Sequence, residues 1–266
     1  MKSKLFLIFL VALLAVASVA VFAACDEIEE AVFGDPNVAT EGLVYQLREN
    51  GSWVNDFTLV SGEQPPEVES DGYWVVDYTG TSSKVVVPAT YQGKPVAGLL
   101  NGCFSEESRS LNIKSVYMND GIMYLGDNVF ASNKTVAAVR FPNTLIKIGN
   151  GAFFDADSIV DIDMPDSVIE IGDNVFTFCD SLTSVKISNG LNVIKENMFG
   201  LCNNLFTVTF GPNIKIIEDM AFLFNDKLNR IIFNGTVEQF NSIEFNTFWL
   251  GSVVKVICTD DVLQLR

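Results

Sequence analysis

From Ile113 to Phe233 the apolar positions of the chain return every 23 residues. One column holds Phe130, Phe153, Phe176, Phe199 and Phe222. A second holds Val116, Val139, Ile162, Val185, Val208 and Ile231, and a third Met118, Phe141, Met164, Ile187, Phe210 and Phe233. Leu125, Ile148, Ile171, Ile194 and Ile217 form a fourth, and Ile113, Val136, Ile159, Leu182, Leu205 and Leu228 a fifth. Such sustained register predicts a solenoid, in which each repeat buries its apolar face only by stacking on its neighbours. In the cleanest copy, Val185 and Ile187 alternate with Ser184, Lys186 and Ser188, a period of two that predicts a strand with one buried face. A turn, a second apolar pair such as Val168 and Ile171, and a short segment ending in the phenylalanine complete the repeat.

The short segment carries a helix-start signal. Asp127, Asn150, Asp173, Glu196 and Asp219 share a column three residues before the phenylalanine, and such side chains suit a helix N-terminus or a tight turn. Gly126, Gly149 and Gly172 precede the first three, but Lys195 and Glu218 take that place later, so the backbone there does not require glycine. One turn of 3₁₀ or α-helix is expected.

The copies Ile159 to Asp180 (IVDIDMPDSVIEIGDNVFTFCD) and Val136 to Phe153 (VAAVRFPNTLIKIGNGAF) resemble the BspA-like, or Treponema-type, leucine-rich repeat. The family proline stands at Pro142 and Pro165 but is replaced by Asn119, Ser188 and Gly211, and the family cysteine stands only at Cys179 and Cys202. The resemblance covers about residues 72–260. It implies a leucine-rich repeat solenoid: a β-rich right-handed superhelix with short helical turns, about six 23-residue repeats plus N- and C-terminal caps. It also implies a bacterial cell-surface setting.

The flanks divide accordingly. Residues 1–24 read as a lipoprotein signal peptide: Lys2 and Lys4, then an apolar run from Leu5 to Val21, then Phe22-Ala23-Ala24-Cys25, which resembles a lipobox with Cys25 as the lipidated residue. Secretory cleavage after Ala23 and an uncleaved anchor are the alternatives. Residues 25–40 read as an acidic tether, with one amphipathic turn at Ile28 to Phe33 as the alternative. Residues 41–95 read as a β-rich N-terminal cap, 96–233 as the repeats and 234–266 as a C-terminal cap, to which Trp249 contributes bulk, with a place in a binding pocket as its alternative. Phe104 precedes Phe130 by 26 residues, so the first repeat carries a three-residue insertion near Ser105 to Ser110.

Composition narrows the chemistry. The chain has no histidine, which removes the usual base near neutral pH, the histidine-dependent nucleophilic systems and histidine-ligated zinc. No phosphate-binding glycine motif is present. The formal net charge is −16, and residues 26–72 alone hold twelve acidic residues and one basic one. Nucleic-acid binding therefore lacks its electrostatic basis. No cofactor and no catalytic or metal-ligating set is expected. Calcium near Asp161 and Asp163 is disfavoured but open, and Cys179 and Cys202, in one column of adjacent repeats, read as buried free thiols with a bridge left open.

The outward strand column Tyr117, Arg140, Asp163, Lys186 and Thr209 is the candidate binding face, with a self-satisfied charge ladder as the alternative. The expected role is non-catalytic: a lipid-anchored surface protein adhering to an extracellular protein or glycan. A secreted location, and a structural envelope protein without an external ligand, are the alternatives.

Overall fold

The computed structural model describes residues 33–55, 68, 70–106, 111–246, 253 and 255–265. The signal-peptide and Cys25 expectations, residues 107–110 of the insertion expected near Ser105 to Ser110, and Trp249 lie outside them. The chain forms a β-solenoid of about eight turns. Its first wall is made of two parallel ladders in succession: β4 (Lys84–Val87), β7 (Ser115–Met118) and β9 (Ala138–Arg140), then β11 (Asp161–Asp163), β13 (Ser184–Lys186), β15 (Thr207–Phe210), β17 (Arg230–Phe233) and β19 (Lys255–Ile257). The second wall uses shorter strands: β6 (Lys94–Leu99), β8 (Tyr124–Leu125), β10 (Lys147–Ile148), β12 (Glu170–Ile171), β14 (Val193–Ile194), β16 (Ile216–Ile217) and β18 (Glu244–Phe245).

The third wall departs from the expected helical turn. The segments around the phenylalanine column are hydrogen-bonded turns rather than helix. In residues 151–155 every second amide donates to the following repeat: Gly151 to the Asp173 carbonyl, Phe153 to Val175 and Asp155 to Thr177, at 2.8–2.9 Å. Such a ladder needs left-handed backbone at two places per turn. Asn128, Gly151, Asn174, Asn197 and Met220 form one such column, and Ser132, Asp155, Phe178, Leu201 and Phe224 the other, with φ between 52° and 64°. The Asx column does not cap a helix. Asp127 Oδ1 accepts the Asn150 amide at 2.7 Å and Asn150 Oδ1 that of Asp173 at 3.0 Å. A Cβ on Gly149 would meet Asp127 Oδ1 at 2.5 Å, so the glycines clear a path for these side chains. Where Glu218 replaces glycine, the bond reverses and its carboxylate accepts the Glu196 amide at 2.9 Å.

The core lies between the three walls. Rings of Phe104, Phe130, Phe153, Phe176, Phe199 and Phe222 stack in near-parallel succession with centroids 4.9–5.5 Å apart. The other predicted columns are buried except at Val139 and Ile171. Those two positions flank interruptions: β9 and β11 fall in different sheets, as do β12 and β14.

At the N-terminal end β1 (Leu43–Glu49) pairs antiparallel with β3 (Gly72–Tyr78), and β2 (Ser52–Trp53) pairs antiparallel with β1 at the edge; β3 joins the second wall through β6, and β5 (Thr90–Tyr91) also pairs with β6. The described end of the expected tether is docked. Thr40 donates its amide to Val86 at 3.1 Å, Asn119 Nδ2 donates to the Pro36 carbonyl at 2.9 Å, and Phe33 meets Tyr117 edge-on at 6.0 Å. At the other end α1 (Val237–Asn241) starts with a capping box made by Thr236 and Gln239 and buries Phe240. The final strand β20 (Val262–Gln264) runs antiparallel to β19.

Candidate interaction surfaces

The outward column of the first wall is assembled in register but in two pieces. Tyr117 pairs with Arg140 across β7 and β9, and Asp163, Lys186 and Thr209 follow one another across β11, β13 and β15. The Lys186 ammonium meets Asp163 at 2.9 Å, and this bond raises the lysine pKa. Arg140 donates to the neighbouring Phe141 carbonyl at 2.8 Å, and Tyr117 lies beneath Phe33. A cavity of about 200 Å³ opens beside Tyr117 and Arg140, lined also by Asn119, Asp120 and Asn143. Asp161 accepts from the Ser184 hydroxyl, so both strand carboxylates of the open calcium question have protein partners. Among the described residues no three potential metal ligands cluster.

The corner between the third and first walls was not anticipated as a surface. Its left-handed column exposes Phe178 by 41% and Phe224 by 59%, with Leu201 half-buried between them. Phe178 meets Phe154 edge-on at 5.5 Å. Asp157, Asp180 and Asp226 lie two residues beyond the column. Lys134 reaches both Asp155 and Asp157; burial pulls its pKa down, but the two carboxylates outweigh that and raise it.

Just inside this corner runs a buried column of Asn133, Ala156, Cys179, Cys202 and Asn225. Asn133 Nδ2, Cys179 Sγ, Cys202 Sγ and Asn225 Nδ2 each donate to the carbonyl of the preceding repeat's core phenylalanine, at 2.7–3.1 Å. Both cysteines are free. Burial, reinforced by Cys202, pushes the Cys179 thiol well above its ordinary range, which keeps it protonated and unreactive.

The second wall carries a further outward column: Trp74, Gly98, Tyr124, Lys147 and Glu170, brought side by side by the pairing of β3, β6, β8, β10 and β12. Trp74 crosses the gap at Gly98 and stacks on Tyr124, with centroids 5.7 Å apart and planes 22° apart. A Cβ on Gly98 would sit 2.7 Å from Trp74 Cζ3 and 2.5 Å from the Tyr124 carbonyl. Lys147 pairs with Glu170 at 3.1 Å.

Residues 99–229 match six copies of the BspA type leucine rich repeat region. The repeat array belongs to the BspA-type leucine-rich repeat family. Among solved structures the BspA-type array is similar in fold to the T. pallidum leucine rich repeat protein TpLRR, with TM-score 0.59 and 21% identity over 78% of this chain and 85% of that one. It is also similar to the pneumococcal vaccine antigen PcpA, with TM-score 0.54 and 18% identity over 70% of this chain and 44% of that one. No curated protein matches the chain. A BspA-type array is a scaffold of stacked walls, and a fold of this kind does not by itself fix a function, which rests on particular surface residues.

Proposed function

We propose that this chain is a non-catalytic interaction module, held at a bacterial cell surface by a lipid on Cys25, which adheres there to an extracellular protein or glycan. The observation that carries the reading is the corner column. Left-handed backbone costs an L-residue roughly 1–2 kcal/mol and suits glycine, asparagine or aspartate. Phe178, Leu201 and Phe224 occupy it instead, with φ of 60–64°, and the two phenylalanines stay exposed, by 41% and 59%. Large apolar groups held outward on a rigid wall, beside Asp180 and Asp226, suit a partner with an apolar patch and a basic rim. The competing reading, a structural envelope protein, draws on the internally paired Asp163 and Lys186.

Two measurements separate these. Intact mass and membrane partitioning of the native protein are compared with Cys25→Ala; a lipid-sized mass and membrane association, both lost in the variant, are expected. Cells displaying the wild type or the Phe178→Ser/Phe224→Ser double variant are then tested on protein-coated and glycan-coated surfaces. At least a tenfold loss of adhesion is expected, and equal adhesion of both would favour the structural role.

A further inference from the structure

Beside the stacked Trp74 and Tyr124 the second wall opens into a cavity of about 270 Å³. Its floor is apolar, made by Trp74 and Leu100, both buried, and one side is the half-exposed Tyr124 ring. Around the rim stand Asn101, Asp127, Asn150 and Lys147. The three Asx residues each use one oxygen or none of their donors to hold the wall together. Asn101 Oδ1 accepts the Asp127 amide, Asp127 Oδ1 the Asn150 amide and Asn150 Oδ1 the Asp173 amide. Their second polar atoms, Asn101 Nδ2, Asp127 Oδ2 and Asn150 Nδ2, and the Tyr124 hydroxyl, make no hydrogen bond among the described residues. The wall therefore fixes these groups in place through one atom and presents the other.

We propose that this cavity binds one neutral pyranose residue, either as a free sugar or as the terminal unit of a glycan. A pyranose has an apolar C–H face and a ring of hydroxyl groups, each both donor and acceptor. An aromatic side and apolar floor receive the face. Two amide donors and a carboxylate acceptor, held on one rigid column, match neighbouring hydroxyls, which need donors and acceptors together. At about 270 Å³ the volume falls just below the usual ligand-pocket range of roughly 300–1,000 Å³, which suits a single ring and not an extended chain. Charge selects against acidic sugars: Asp127 faces the rim, and Lys147 is already neutralised by Glu170 at 3.1 Å. This site is separate from the corner column, so the adhesion reading can fail while the sugar site stands, and the reverse.

The test uses the full chain. Saturation-transfer NMR and tryptophan fluorescence are recorded with the methyl glycosides of glucose, galactose, mannose and N-acetylglucosamine, with glucuronate as the acidic control. At least one neutral glycoside is expected to bind saturably with Kd on the order of 1 mM, the affinity a dozen heavy atoms ordinarily supply. Glucuronate is expected at least tenfold weaker. Asp127→Asn keeps an oxygen for the Asn150 amide and replaces the free acceptor with a donor; with an unchanged melting temperature it should weaken binding about tenfold. Tyr124→Ala should abolish it. Oligosaccharides ending in the preferred sugar, compared with the free glycoside, decide the source: equal affinity points to a terminal unit, and tighter binding of the free glycoside to a soluble sugar. No saturable binding by any neutral glycoside at tens of millimolar would overturn the proposal. So would binding that survives both substitutions, or a preference for glucuronate.

Discussion

The side-chain amide of Asn225 donates to the carbonyl oxygen of Phe199, 26 positions upstream, at 2.7 Å, while its Oδ1 accepts the Cys202 amide at 2.8 Å. All of these groups are buried. Asn225→Ala strands a buried carbonyl and a buried N–H together, so a loss of about 2–4 kcal/mol is expected in denaturant unfolding. Asn225→Cys restores a donor for the carbonyl, as Cys202 does for Phe176 at 2.9 Å, and should recover part of that loss. Equal stability of the alanine variant and the wild type would remove the energetic role assigned to the column.

Phe224→Asn tests the corner from the opposite side. Asparagine tolerates φ near 60°, and the exposed ring gains little from burial. The variant should be as stable as the wild type or more so, by up to about 1 kcal/mol, while adhesion falls. A destabilisation above that size would mean that the ring serves the fold.

Tyr45 stacks on Tyr91 with centroids 3.9 Å apart, and burial, with a smaller contribution from Tyr91, raises its pKa to about 12. The unfolded value is near 10. A raised folded pKa gives stability that is complete below pH 10 and is lost as the pH rises through 12. Tyr45→Phe should flatten the alkaline fall of the melting temperature in that window, and its tyrosinate absorbance should lack the highest-pH step.

Asp166 shows the reverse sign. The Asn189 backbone amide, then its side chain, hold this carboxyl below the usual range. Its contribution is present above about pH 4 and disappears as the pH falls through the folded value. The side chain is exposed, so solvent screening limits the effect to about 0.5 kcal/mol or less. Asp166→Ala should lower the melting temperature slightly at pH 7, with the gap closing at strongly acid pH.

The core was legible because burial in a solenoid repeats with the chain. Phe130, Val116, Met118, Leu125 and Ile113 each begin a column that the structure keeps inside. Surface features obey no such rule. The Asp127 column looked like a helix start because its residue types suit both a cap and a ladder to the next repeat, and only stacking distinguishes them. The corner was missed because Phe178 and Phe224 sit where local preference favours asparagine or glycine. Trp74 and Tyr124 were missed for a simpler reason: from 74 to 98 to 124 the spacing is 24 and then 26 residues, so the column falls outside a 23-residue register. The β12 strand offers only two residues, too few to display a period of two.

The turn that carries β11 and β12 is latched unevenly. On the first wall it pairs forward with β13 and not with β9; on the second it pairs backward with β10 and not with β14. The third wall alone runs unbroken past it, through the bonds from Gly151, Phe153, Phe176 and Phe178 to the next repeats. A rod sealed on one side and slit on the other two, at successive levels, bends about the sealed side. Pulled along its length, it opens at the slits first, so a load carried between the two ends is taken up by bending at this turn before the stacked rings on either side are disturbed.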